Sequence, residues 1–477
     1  MLPRGSPSVI LRTPMIAKKV VTAVAVVFLA ISTFAQSSAS QDTHQQAVDF
    51  LSALVKIDTS NPPGNEIKTA QYIKGVLDAE GIPSEIIESA PGRASLIARL
   101  KGNGSKKPLL LMGHLDVVGV ERSKWTVDPF AAVIKDGYLY GRGASDDKAM
   151  DAADLVVFLK LHRDRAPLDR DVILLAEAGE EGTSQYGIDY LVEHAWEKIA
   201  SEYALNEGGI TNVVNGRVQY VGVSNTEKVP RGLKLVAHGS SGHGSMPRLD
   251  NVNTHLGAAV GKVGSWQPPM RLNETTREFF SRLASISPPD QAYLFTHLDD
   301  PQVQEKLRAN NIFYNSMLRT SVVPTIMRGG FRENVIPADA EATLDVRALP
   351  DENIDQLIST IRNLINDPEV EVTRLEGGQH RPTSAPSDIH NEMFTALERA
   401  QKQIWPAAIT LPLMQTGATD SAQLRAKGVQ AYGIDPPMDD DDLHRVHGND
   451  ERMSINGLGQ FVDYLWAVVT EVAGGKQ

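Results

Sequence analysis

Two histidines and a set of carboxylates stand where the chain could do chemistry. In order they are His114 and Asp116 in GHLD, Asp146 in GRGASDDK, Glu180 and Glu181 in GEEG, Glu207 in NEGG, and His447 in VHGNDER. Each alone has an ordinary explanation. A His-x-Asp pair is common in surface loops, and adjacent glutamates are usually solvated charge. GRGASDD would serve as a glycine turn leading to the N-cap of helix DAADLVVFLKLH, where acids suit the helix dipole. Together they read differently, because each sits at the end of an apolar run or beside glycine and so falls on one edge of a fold. The chain has no cysteine. Thiolate catalysis, disulfides and Cys-held zinc are therefore excluded, and any metal must be held by His, Asp and Glu. That donor set suits Zn²⁺, with Co²⁺ or Mn²⁺ as substitutes. Two such ions about 3.5–4 Å apart need a carboxylate between them, and the clamp activates water and polarises a carbonyl.

The elements that must position these groups follow from hydrophobic spacing. From about Gln41 to Asn225, AVDFLSALVKI and TAQYIKGVLDAEG carry apolar residues at helical intervals. SLIARL, PLLLMGHLDVV and DVILLAEAG are short, buried-looking strands that end in polar residues. Strand and helix in alternation predict an α/β fold with an open, mainly parallel sheet. Such sheets carry reactive groups beyond the carboxyl ends of their strands, which is where GHLD and GEEG fall. Near Val229-Pro230 the texture changes. GLKLVAHGSSGHGSMP opens, and TLDVRALP with DQLISTIRNLI largely closes, a segment with its own strands and helices. The expected division is a catalytic domain over 41–229 and 381–477, interrupted by an inserted α+β lid domain over 230–380. Within the insertion, 270–325 reads as an extra, mostly helical elaboration.

The ends and the composition set the remaining bounds. A chain of 477 residues holds more than one domain, and its 42% hydrophobic and 22% charged content is that of an ordinary globular protein. A net charge of −12, with no Lys/Arg-rich tract in the body, makes nucleic acid and anionic membranes poor partners. Arg4, Arg12, Lys18 and Lys19 precede the uncharged run Val20 to Ala35, followed by QSSASQDTHQQ. A basic start, an apolar core and small residues at the exit predict a secretory signal peptide over 1–40, with Met15 as an alternative start. The protein is expected to be exported, to a periplasm or outside the cell. The run falls short of the roughly 20 apolar residues of a spanning helix, so no stable membrane span is expected; an uncleaved anchor is the alternative.

The order GHLDVV, GRGASDDK, EEG, NEGG, GHGSMP, NVIPADAEATLDVR, GATD, VHGNDER resembles the aminoacylase/carboxypeptidase family of two-zinc hydrolases, over nearly everything after the signal segment. NEGG and the long insertion are most similar to the carboxypeptidase S and N-fatty-acyl-amino-acid hydrolase branch. The resemblance implies that His114 and Glu207 hold one zinc, His447 and Glu181 the other, and that Asp146 bridges them with a cis peptide after it. It implies that Asp116 orients the His114 ring and that Glu180 is the general base, passing a proton from water to the leaving amine. His243, in SGHGSMP, would reach a partner subunit's site and support the oxyanion. Arg347 and Asn334 would contact substrate, arginine being suited to a carboxylate, with Thr419 in GATD a further candidate. Dimerisation through the inserted domain is likewise implied.

The sequence departs from the pattern in places. Asn206 stands where many relatives have Asp, and Asp147 adds a charge after the bridging position. MDDDDLH before His447 is a solvated acidic loop or a repulsive surface against anionic substrate tails. The expected activity is hydrolysis of the amide bond of a small peptide with a free carboxylate, of carboxypeptidase or dipeptidase type. The alternatives are an aminoacylase for N-acyl, including fatty-acyl, amino acids, and a metal-binding dimer without catalysis. An apolar channel within 270–325 would favour the acyl reading.

Overall fold

The computed structural model describes residues 42–182, 184–377 and 381–475; the signal segment predicted over 1–40 lies outside them. Among the described residues no helix is long and apolar enough to cross a membrane.

The larger sheet has ten strands. Its centre is parallel: Val172–Glu177, Leu109–His114, Tyr203–Asn206 and Gln430–Gly433 run side by side in the same direction. One flank is antiparallel, through Arg93–Leu100 and Ser84–Ala90. Beyond the other side lie Arg217–Glu227, Ile210–Val214 and Pro437–Met438, with Ile409–Gln415 parallel to Arg217–Glu227. The fold is thus α/β with a parallel centre and mixed edges. LLLM and VILLA are buried throughout, because helices cover both faces. Leu109 and Leu111 join one apolar cluster, with Phe158 of helix Lys148–Arg163 and Phe461 of helix Ile455–Ala473. Leu110 and Met112 point the other way, into a cluster with Ile188 and Leu191. A period of two on doubly covered strands explains why the sequence reads as an unbroken apolar run. Truncating one such residue, as in Leu111→Ala, costs about 2–5 kcal/mol.

A second, antiparallel sheet has the order Val370–Arg374, Leu233–His238, Asp339–Ala348, Ser321–Gly329. With helices Val252–Ser265 and Ile354–Ile365 it makes a split β-α-β unit. Helix Ile354–Ile365 shows how the sequence builds it. Asn353 caps the start by accepting from the Gln356 N–H, the stripe Leu357, Ile358, Ile361, Ile365 is buried, and Asn366 ends the helix at φ 44°. Ser321–Gly329 is the outer strand and leaves Val323, Ile326 and Met327 exposed.

The helices Glu274–Ile286, Pro289–Thr296, Pro301–Asn310 and Ile312–Met317 belong by sequence to the insertion but pack on the larger sheet. Phe279, Phe280, Phe295, Leu307 and Met317 cluster with Leu411 and Leu413 of Ile409–Gln415. The rings of Phe279, Phe280, Phe295 and Tyr314 meet one another mostly edge-on. This segment supplies the cover that a fully apolar strand needs, and its aromatic residues fill a core.

Candidate active site

Three neighbouring parallel strands deliver polar residues to one edge. Leu109–His114 ends on His114, Val172–Glu177 leads to the Gly179–Glu181 turn, and Tyr203–Asn206 leads to Glu207. Asp146 arrives from the loop before helix Lys148–Arg163, and the Asp146–Asp147 peptide bond is cis. His447 follows the short helix Asp440–Arg445, at φ 60°.

These groups converge. His114 Nε2 lies 3.0 Å from Asp146 Oδ1. His447 Nε2 lies 3.0 Å from Asp146 Oδ2 and 2.9 Å from Glu181 Oε1. His114, Asp146 and Glu207 form one set of potential ligands and Asp146, Glu181 and His447 another, with the atoms of each set within 4.8 Å of one another. Asp146 therefore belongs to both, with a different oxygen turned to each histidine.

The electrostatics of the cluster call for a cation. Burial, then the neighbouring Glu180, pushes the Glu207 carboxyl well above its ordinary range, and burial raises Glu181. Burial also works to raise Asp146, but hydrogen bonds with His114 and His447 outweigh it and hold that carboxyl low. The same carboxylates, Asp146 first and then Glu181, lift His447 to about 10. Glutamates pushed toward protonation around one ionised aspartate and protonated imidazoles are what divalent ions would satisfy better, with the acids ionised and both rings neutral as ligands. The donors, all nitrogen and oxygen, fit such ions. Glu180, beside them, is pushed up to about 7 by burial against the opposing charge of Arg381.

The supporting contacts differ in part from the sequence reading. The His114 ring is held by the Asp116 main chain, Nδ1 lying 2.9 Å from its carbonyl oxygen, while the carboxylate stands 3.6 Å away. That carboxylate instead accepts from the N–H groups of Gly179, Glu180 and Glu181 at 2.9, 3.1 and 3.2 Å, and from Asn61 Nδ2 at 2.7 Å. One buried residue thus shapes the turn carrying both Glu180 and Glu181. Glu451 does the same for Asp146. Its carboxylate accepts from the Asp146, Ser145 and Gly143 N–H groups at 3.1, 2.9 and 3.1 Å, and from Arg142 Nη1 at 2.5 Å. Glu451 went unassigned in the sequence although it lies inside the VHGNDER run; its complete burial is set by the fold and leaves no local signal. Asp435, also missed, has its carboxyl raised by burial and by Asp146.

At the departures from the family pattern, Asn206 Nδ2 donates to Ser421 Oγ at 3.1 Å, and Asp147 Oδ2 accepts from the His114 N–H at 3.4 Å. The acidic run is local structure: Asp439 caps helix Asp440–Arg445, Asp441 pairs with Arg445, and Asp442 binds Arg452 at 2.7 Å.

The remaining candidates divide. Thr419 is buried, donates its N–H and hydroxyl to Glu227 at 3.1 and 3.0 Å, and lies against Gly208, next to Glu207. His243 is exposed, and its Nδ1 meets the Ser245 hydroxyl at 2.7 Å. Asn334 is exposed and its carbonyl accepts from the Gly244 N–H at 2.9 Å. Arg347 Nε donates to Asp345 at 2.9 Å. The partners in these hydrogen bonds, Ser245, Gly244 and Asp345, all lie within residues 230–380.

A family model described as peptidase family M20/M25/M40 matches residues 110–471. The chain is 28% identical over 391 residues to a probable carboxypeptidase S-like 2 of Dictyostelium discoideum, covering 79% of this chain and 74% of that protein. It is 27% identical over 376 residues to the human N-fatty-acyl-amino acid synthase/hydrolase PM20D1, covering 76% and 74%. Its fold matches the crystal structure of an M20 family metallo-carboxypeptidase, Sso-CP2 of Sulfolobus solfataricus, with a TM-score of 0.68 at 19% identity over 89% of this chain and 98% of that one. The chain belongs to the M20/M25/M40 peptidase family. It is a hydrolase acting on peptide or acyl–amino acid bonds, in a family that depends on metal.

Proposed function

We propose that this protein is an exported two-zinc hydrolase cleaving the amide bond of small peptides that carry a free carboxylate, in the manner of a carboxypeptidase or dipeptidase. The observation that carries the reading is the sharing of Asp146 between two ligand sets, one with His114 and Glu207, the other with Glu181 and His447. When bound, a pair of Zn²⁺ ions supplies Lewis acidity to the scissile carbonyl and makes water acidic enough to give up a proton near neutral pH. Glu180 is the general base: it takes that proton and returns it to the leaving amine. Glu180 adjoins the proposed ligand Glu181 and is not a member of either ligand set, so its carboxylate is left free for the transfer. Asp116 and Glu451 hold the loops that present these groups.

Arg347 and Asn334 are the proposed contacts for the substrate carboxylate and backbone, with Thr419 beside the Glu207 loop. His243 donates to the developing oxyanion from a partner subunit. Its exposure supports this, as do the uncovered Met246, Leu249 and Phe331 around its loop and the outer strand Ser321–Gly329, which together offer a surface for a second copy. The packing of Phe279, Phe280, Phe295 and Tyr314 into a core favours peptides over long acyl chains. Likeness to an N-fatty-acyl-amino acid hydrolase supports N-acyl amino acids as a second reading.

The test is hydrolysis of a panel of dipeptides and N-acyl amino acids by the protein with added Zn²⁺, with chelator, and as Glu180→Ala. Chelator-sensitive turnover that vanishes in Glu180→Ala is expected, highest on a dipeptide. Preference for a fatty-acyl substrate would favour the acylase, and a zinc-loaded, folded protein inert on the whole panel would overturn both readings.

A further inference from the structure

Arg381 was not singled out by the sequence, yet it touches the proposed base. Its side chain is 3% exposed, and Nη2 donates to Glu180 Oε1 at 2.8 Å. Its other terminal nitrogen pairs with Asp420 and lies 3.5 Å from Gln423 Oε1. The main chain of the same residue is tied to the crossover between domains: Arg231 Nη1 donates to the Arg381 carbonyl at 2.9 Å, and Arg231 Nη2 to Thr383 Oγ1 at 3.1 Å. Arg231 follows the strand Val229–Pro230 that leads into the second domain, and its N–H binds the Val346 carbonyl at 2.8 Å. The outgoing and returning crossovers are thus clasped at the residue whose guanidinium reaches Glu180.

We infer that Arg381 is the positioning residue for the general base, occupying Oε1 of Glu180 so that Oε2 is the oxygen that exchanges the proton, and fixing that carboxylate relative to the crossover into the second domain. This rests on the reading of Glu180 as the base. Asp420 and Gln423 both meet Nη1, so Nη2 is committed to Glu180, and the guanidinium fixes the Glu180 carboxylate relative to Asp420. A planar fork joined to two acids locks the torsions of both, whereas a lysine would act as a point charge. Proton transfer is sensitive to such alignment, since a displacement of about 1 Å can cost about 100-fold in rate.

The experiment compares Arg381→Gln and Arg381→Lys with the parent protein, zinc-loaded, measuring kcat, KM, zinc content and melting temperature. Arg381→Gln is expected to lower kcat by about 100-fold with KM and zinc content little changed. Arg381→Lys should recover part of that loss and serves as the working variant if the glutamine protein does not fold. In a Glu180→Gln background, removing Arg381 should cost no further turnover. Thermal unfolding of the metal-free single and double variants should show non-additive effects, since the two side chains are in contact. A raised KM with unchanged kcat would make Arg381 a substrate contact and overturn the inference, as would additive unfolding effects with unchanged kcat. Undiminished turnover by Glu180→Gln would instead overturn the reading of Glu180 itself. A dead Glu180→Gln beside a fully active Arg381→Gln would overturn the positioning role alone.

Discussion

The metal-ligand cluster and the His243 loop are built on opposite principles. At the cluster, carboxylates accept from main-chain N–H groups distant in sequence: Asp116 holds the Gly179–Glu181 turn, and Glu451 holds the Asp146 loop. Each of these acids is 0% exposed, so its geometry is set by packing and water cannot compete for its hydrogen bonds. The His243 loop is open. The His243 imidazole meets the Ser245 hydroxyl, while Met246, Leu249 and Phe331 stand 65%, 100% and 84% exposed. The difference teaches that one chain by itself preorganises the ligand cluster, while the His243 loop leaves its apolar residues uncovered.

Substitutions on the two sides should separate them by size and kind of effect. The largest is expected at the proposed base, where Glu180→Gln should lower kcat by about 10²–10⁴-fold while zinc content stays that of the parent protein. Loss of zinc together with activity would place Glu180 among the ligands. Next comes His243→Ala, expected to lower kcat by about 10²–10³-fold, as for loss of one oxyanion donor, without change in zinc content or melting temperature. Mixing it with Glu180→Gln should restore turnover through mixed dimers, because one composite site then holds both intact residues. Mixed samples no more active than their parts would place His243 in its own subunit's site or outside catalysis.

Glu451→Gln tests the preorganised side through metal affinity. A zinc titration should show about 10–100-fold weaker binding, because the Asp146 loop loses the carboxylate that gathers its N–H groups.

The smallest effect concerns stability. Among the described residues, both Asp154 oxygens are buried without a hydrogen-bond partner, and burial pushes its carboxyl well above the ordinary range. The unfolded chain gives up this proton near the usual carboxylate pKa while the folded protein keeps it to higher pH. Folded stability should therefore fall as pH rises between those two values. Asp154→Asn is expected to raise the melting temperature more at pH 8 than at pH 5, and so to flatten the difference between them. An equal shift at both pH values would show that the carboxyl does not titrate within that range.

The sequence by itself determined the chemistry on offer and the elements that carry it. Apolar runs such as LLLM and VILLA fix buried strands, helical spacing fixes segments such as Ile354–Ile365, and the absence of cysteine restricts the donors to nitrogen and oxygen. Those properties are local, so composition and periodicity suffice to read them. Contacts between residues hundreds apart leave no local period. Only the tertiary structure decided that Glu451 gathers the Asp146 loop and that the Asp116 carboxylate turns to the Glu180–Glu181 turn while its carbonyl takes His114. Likewise, only packing seats the helices after Glu274 on the strand Ile409–Gln415 and brings Arg381 to Glu180. A buried polar group is defined by what the fold places around it, and that is settled when the sheets pack, after the local pattern has had its say.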